Sequence, residues 1–77
     1  MKILYFAEMK ELLNRSEDHF HFDYEVSVEA LTTHLYQTYP MIQGKKFQVA
    51  VNEEFVSNDE MVKPNDIVAL IPPVSGG

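Results

Sequence analysis

The sequence predicts a two-layer α+β roll: a mixed sheet of four or five strands with one main helix and a second, short helix on one face. Three observations carry this reading. The two most apolar segments, Lys2 to Phe6 and Ile67 to Ile71, come from opposite ends of the chain and have apolar residues at both alternating positions, as in central strands. Between them Val28, Leu31, Leu35 and Tyr39 recur at helical spacing and define one inward stripe. The whole chain has 77 residues, room for one small domain and no second one. A single helix of about three turns covers only one face of such a sheet, so the other face should keep apolar side chains in the open. A patch of that kind on a small protein marks a docking surface.

Each element has its own signal. After the first strand, Ala7 to Leu13 switches to strong helix formers and Asn14, Arg15 and Ser16 form a polar exit, which predicts a short helix. From His19 to Tyr24 the pattern alternates, with Phe20, Phe22 and Tyr24 on one side and His19, His21 and Asp23 on the other, which predicts a half-buried edge strand. Ser27 then caps the main helix, with Val26 and Leu31 placed to staple across the cap, and Pro40 ends it. Phe47, Val49 and Val51 alternate with Gln48 and Ala50, and Glu54 to Val56 returns after Asn52-Glu53, a hairpin with a less committed turn than Asn-Gly. Pro64-Asn65-Asp66 makes the last turn before Ile67 to Ile71. The domain thus spans residues 1–71, and residues 72–77 form an extended tail.

Composition removes several functions. Six basic side chains against twelve acidic ones give a net charge of −6, and the basic residues, at 2, 10, 15, 45, 46 and 63, form no stripe that would track phosphates. Nucleic acid is not an expected partner. No apolar run approaches the roughly 20 residues that span a bilayer, so no membrane is expected and the chain reads as cytoplasmic. With no cysteine there is no disulfide framework, thiolate metal site or cysteine nucleophile, so any sulfur chemistry must be borrowed.

Few residues in the body of the domain suggest chemistry. His19, His21 and Asp23 resemble a two-histidine, one-carboxylate metal set, but side chains on a flat strand project in parallel, so they read as the solvated face of an edge strand and no metal is expected. His34 reads as a surface residue. Asp59-Glu60 and Glu53-Glu54 are sequence neighbours that point apart and make no acid-base pair. Alternation turns one set of side chains on the last strand outward, Val68 and Leu70 or else Ile67, Ala69 and Ile71; the first pair is the candidate docking face.

The remaining signal is the tail. Two of the three glycines are Gly76 and Gly77, a pairing that background glycine usage produces at the end of about one chain in 200. Pro72 and Pro73 cannot donate to a sheet ladder and favour an extended backbone. Val74, Ser75, Gly76 and Gly77 continue outward, so six residues at about 3.3 Å each reach up to about 20 Å. Two glycines make the thinnest possible backbone for a narrow channel. The tail reads as a tether presenting an α-carboxylate, which with a pKa of about 3.5 is ionised and a poor electrophile, so activation must come from an ATP-using partner. The competing reading is a frayed terminus.

KILYFAEMKELL, VAVNEEFV and NDIVALIPPVSGG resemble, over essentially the whole chain, the small sulfur-carrier subunit of molybdopterin synthase (MoaD type) in the ubiquitin-like, β-grasp superfamily. IPPVSGG is the most specific part. The resemblance implies a β-grasp fold with the first and last strands side by side. It implies that Gly77 is the reacting residue, adenylated by a ubiquitin-activating-type adenylyltransferase, converted to a thiocarboxylate with sulfur from a donor protein, and spent on a pterin precursor in the large synthase subunit. On this reading the chain binds no cofactor, ATP is used by the activating partner, a heterotetramer with the large subunit is expected, and the catalytic residues of the sulfurtransferase are expected on the large subunit. Family members commonly close the first helix with glycine, where Asn14 or Ser16 stands here. The thiamine-pathway sulfur carrier and ubiquitin-like protein modifiers are the alternatives.

Overall fold

The computed structural model describes residues 1–73. Along the chain these form β1 (Lys2–Tyr5), α1 (Ala7–Leu13), β2 (Glu17–His19), β3 (Val26–Ser27), α2 (Val28–Thr38), a 3₁₀ turn (Pro40–Ile42), β4 (Gln48–Val51), β5 (Glu54–Phe55), β6 (Met61–Val62) and β7 (Ile67–Ile71). Strands β2-β1-β7-β4-β5 make one mixed sheet in that order, and β3 and β6 a separate two-stranded ladder. The two apolar end strands lie together at the centre, β1 parallel to β7 with Lys2 opposite Ile67 and Tyr5 opposite Leu70. All other pairings are antiparallel.

Register decides which side chains face the helices. Ile3 stands opposite Val68 and Tyr5 opposite Leu70, while Val51 and Val49 meet the same two residues from the other side. This set packs under Val28, Leu31 and Leu35 of α2 and Met9 and Leu13 of α1, with Ile42 and Val62 completing the core. Val68 and Leu70, the candidate docking pair, are therefore fully buried, and the outward set is Ile67, Ala69 and Ile71. The correction follows from their partners: each sits in a row of inward apolar residues.

The helix boundaries follow from local chemistry. Ser27 Oγ accepts from the Ala30 N–H (3.0 Å), and the Val28 and Glu29 N–H groups donate to the carbonyls of Glu60 (2.9 Å) and Asn58 (3.0 Å), so the first turn of α2 is satisfied. That crossing also aligns β3 with β6. At the end of α1, Asn14 adopts the left-handed conformation (φ 53°) and its N–H reaches the carbonyls of Glu11 and Lys10. Asparagine can close the helix there without glycine, because its short polar side chain tolerates this region.

One predicted strand moves. The segment from His19 to Tyr24 leaves the sheet almost at once: β2 ends at His19, and pairing with the first strand runs out at a mutual hydrogen bond between Met1 and Phe20. Phe20 and Phe22 pack edge-on around His34, at 5.0 and 5.6 Å between ring centroids, while Tyr24 is 71% exposed. The aromatic alternation marks contacts with α2 instead of a pleat. His34 is accordingly half-buried between two rings.

Two polar ties hold the ends of the roll. Asn52 donates through Nδ2 to Asp66 (3.1 Å) and accepts from the Ile67 N–H (3.0 Å), while Asp66 also accepts from the Lys63 N–H (2.8 Å). At the opposite end Asp18 accepts from Tyr5 Oη (2.8 Å), Tyr39 Oη (2.6 Å) and the Arg15 guanidinium, which also lies over the Tyr39 ring. Burial opposes ionisation of Asp18. The hydrogen bonds from Tyr39, Tyr5 and Arg15, with the guanidinium charge, outweigh it and hold the carboxyl below its ordinary value. Burial and the Asp18 carboxylate push the Tyr5 hydroxyl well up.

A carboxyl whose pKa is depressed by folding adds stability that is complete above its unfolded pKa of about 3.9 and is lost as pH falls through the folded value. Asp18→Asn should therefore cost about 1–2 kcal/mol at neutral pH and flatten the acid limb of stability, read by urea unfolding between about pH 6 and 2. The hairpin turn offers the reverse case. Asn52 (φ 51°) and Glu53 (φ 72°) are both left-handed, a conformation that a glutamate adopts at a cost of roughly 1 kcal/mol. Glu53→Gly should raise stability by about 0.5–1 kcal/mol in the same measurement.

Candidate docking site

The open face of the sheet carries a continuous apolar row. Register places Leu4, Ala69, Ala50 and Phe55 side by side across β1, β7, β4 and β5. Phe55 is 64% exposed; Ala50, between Ala69 and Phe55, keeps only 4% of its surface although it lies on this face and outside the core cluster. Ile67 extends the patch at one end of β7 and Ile71 at the other. Toward β2 the face turns polar, where Glu17 meets Lys2 (3.8 Å) and His19 (3.0 Å). The apolar region is thus bounded on one side by charges.

The same face leads to the end of the last strand. Ile71 stands opposite Gln48, Pro72 is half-buried and Pro73 exposed. Phe6 follows the β1 residue paired with Leu70 and is 45% exposed, so a large aromatic side chain flanks the point where the chain leaves the sheet. Ala7, next to it, is left-handed (φ 49°), the strained turn by which the chain enters α1. Glu8 of α1 and Lys45 before β4 approach to 4.0 Å at this end. Sequence reading placed Phe6 inside the first strand and gave Phe55 no role. For Phe55 the signal was the alternation of the short returning strand; for Phe6 there was none, because only the left-handed turn at Ala7 frees it.

The histidines near β2 pair locally with carboxylates. His21 contacts Asp23 (2.8 Å) and His19 contacts Glu17, each an exposed pair, and among the described residues no group of histidines and carboxylates is placed to hold a metal ion. No helix among them is long and apolar enough to cross a membrane. Every buried side-chain polar atom among them has a partner. Val74, Ser75, Gly76 and the predicted reacting residue Gly77 lie outside the described residues.

Comparison with known proteins agrees with this architecture. Residues 3–77 match the ThiS family. The molybdopterin synthase sulfur carrier subunit of Dictyostelium discoideum is 37% identical over 81 aligned residues, covering 99% of this chain and 94% of that protein. Among solved structures, a putative molybdopterin converting factor subunit 1 from Pyrococcus furiosus superposes with a TM-score of 0.86 at 25% identity over 95% of each chain. A complex of subunits 1 and 2 of the molybdopterin-converting factor from Helicobacter pylori includes a chain of the same fold (TM-score 0.70, 19% identity, 99% of this chain and 96% of that one). With a family match from residue 3 to residue 77 and a relative of this identity aligned along its whole length, the chain belongs to the ThiS family, in the company of the molybdopterin synthase sulfur carrier subunits.

Proposed function

We propose that the chain carries sulfur for molybdenum cofactor biosynthesis on the carboxyl group of Gly77. The observation that carries the reading is kinship with sulfur carrier subunits along the whole chain, through the IPPVSGG segment. In the first step a Gly77 carboxylate oxygen attacks the α-phosphorus of ATP in an activating enzyme, releasing pyrophosphate and leaving an acyl adenylate. A hydrosulfide equivalent from a sulfur donor protein then displaces AMP at the acyl carbon, which becomes a thiocarboxylate. In the large subunit the thiocarboxylate sulfur displaces an oxygen leaving group at a carbon of the pterin precursor, forming a C–S bond, and water then breaks the acyl carbon–sulfur bond, leaving the sulfur on the precursor as a thiol and restoring the Gly77 carboxylate. The chain's own part is to bind the partner and present the thin Gly76-Gly77 backbone; ATP belongs to the activating partner.

The open face supports the docking half of this reading. Its apolar row runs to the strand end from which the tail departs, so a large subunit seated on Leu4, Ala69, Ile71 and Phe55 meets the tail at the rim of the same contact. The ThiS family match also admits the thiamine pathway as the destination of the sulfur. Complementation decides between them: rescue of a molybdenum cofactor auxotroph supports the first acceptor, and rescue of a thiamine auxotroph alone replaces it.

Incubation with ATP, an activating enzyme and a sulfur donor should raise the intact mass by the exchange of one oxygen for one sulfur. An unchanged mass, with the activating enzyme shown to be competent, removes the reading. One residue added after Gly77 should block the exchange, because the reacting atom moves by about 3.3 Å and becomes an amide; Gly76→Val should cost nearly as much, and Ser75→Ala little. On the docking face, Ala69→Asp with Phe55→Asp should weaken binding to the large subunit at least about tenfold and leave the fold intact, read by calorimetry and circular dichroism.

A further inference from the structure

The sheet has an unfinished edge beside α2. β4 pairs with β7 from Gln48 to Val51 but with β5 only at Ala50 and Val51, and a last bond on the β5 side runs from the Val56 N–H to the Val49 carbonyl (3.1 Å). Past Val56 the chain turns away to α2, where the Asn58 carbonyl accepts from the Glu29 N–H (3.0 Å). Backbone groups of alternate residues point to alternate edges, so those of Phe47 face the same side as the Val49 carbonyl, and among the described residues Phe47 makes no backbone hydrogen bond. A groove of about 740 Å³ lies along this edge, with Thr32, Thr33 and Tyr36 of α2 on one wall and Phe47, Val49 and Val56 on the other. Tyr36 and Phe47 meet at one end, 6.3 Å between ring centroids.

The two ends of the groove differ in charge. Lys45 and Lys46, two of the six basic side chains in a chain of net charge −6, stand at the Phe47 end, and Glu29 stands at the Asn58 end. Among the described residues no carboxylate lies within ion-pair distance of Lys46, and Lys45 reaches only Glu8, at 4.0 Å.

We propose that this edge takes up an extended segment of a partner protein, paired antiparallel to β4 on the line that β5 leaves at Val56, with apolar side chains entering the groove and an acidic end against Lys45 and Lys46. Each part of the occupant answers one feature of the site. Open backbone groups on a strand edge accept another strand, the walls accept its alternate apolar side chains, and the lysine pair attracts carboxylates that Glu29 repels from the other end. A strand antiparallel to β4 ends beside Lys45 and Lys46, so its acidic residues follow its apolar ones. The proposal goes beyond the sulfur-carrier reading and does not rest on it, although Phe55, at the rim of the groove, also belongs to the open face.

The probe is a capped synthetic peptide, Val-Thr-Val-Thr-Asp-Asp, titrated to millimolar concentration into the isotope-labelled full chain. The Thr33, Tyr36, Phe47 and Val49 amides should shift along one saturating curve, while those of Lys2 and Leu4 on β1 stay in place. The reversed peptide, the first peptide N-methylated on the amides that face β4, and the first peptide with the Lys45→Glu, Lys46→Glu double variant should each bind at least about tenfold more weakly. The lysines are exposed, so the variant keeps the fold, read by circular dichroism. No shift in the groove, shifts centred on the open face, or binding kept by the N-methylated peptide or by the double variant overturns the proposal. Shifts of the same groove amides on concentrating the chain without peptide assign the edge to a second copy and overturn it as well.

Discussion

The parallel pairing of β1 with β7 is the constraint on which the rest of the structure depends. It joins the two most apolar segments from opposite ends of the chain, and everything between them must be arranged around that central pair. Parallel neighbours cannot be linked by a tight turn, so α2 crosses over the sheet and covers one face. The antiparallel partners β2 and β4 then occupy the outer flanks of the central pair, and β5 adds to β4. The same pairing makes the open face apolar, because strands at the centre of a sheet carry aliphatic side chains on both sides while the chain has helices for only one.

How far the sequence disclosed this varies with the range of the interaction. Helix α1 was legible to the residue because the composition changes sharply at Ala7 and again at Asn14, and α2 because a cap, a stripe and a proline all agree. β7 was equally plain, being a run of five apolar residues after a strong turn. By contrast β3 and β6 have two residues each and exist only because the segment around Glu60 caps α2, so no local pattern announces them. The aromatic alternation through Phe20 and Phe22 was real but belongs to packing around His34, which a period of two cannot distinguish from a strand.

The candidate site divides in the same way. The chemistry proposed for the tail rests on residues 72–77 of the sequence alone, and its last four residues lie outside the described ones. The docking face did need it: alternation offers two sets on β7, and only the register with Ile3, Tyr5, Val49 and Val51 sends Val68 and Leu70 inward. The Asp18 network was beyond reach for a different reason. Its members, at positions 5, 15, 18 and 39, come from four places in the chain and look individually like surface polar residues or core aromatics. Their convergence is a property of the fold.

The central position of β7 also bears on how the molecule is made. A strand in the middle of the sheet that follows the other six in chain order cannot be supplied until all of them have left the ribosome. Until then β1 and β4 have no neighbour on the side β7 will occupy, and the helices have only half a surface to pack on. Native pairing at the centre of the sheet is deferred until β7 is made instead of growing strand by strand. A broken or stalled product lacking β7 has two strands, β1 and β4, that lack their central neighbour, and exposes their edges to pairing with other chains and to proteolysis. The central strand thus acts as a latch: the sheet closes around it only in molecules whose synthesis has passed Ile71.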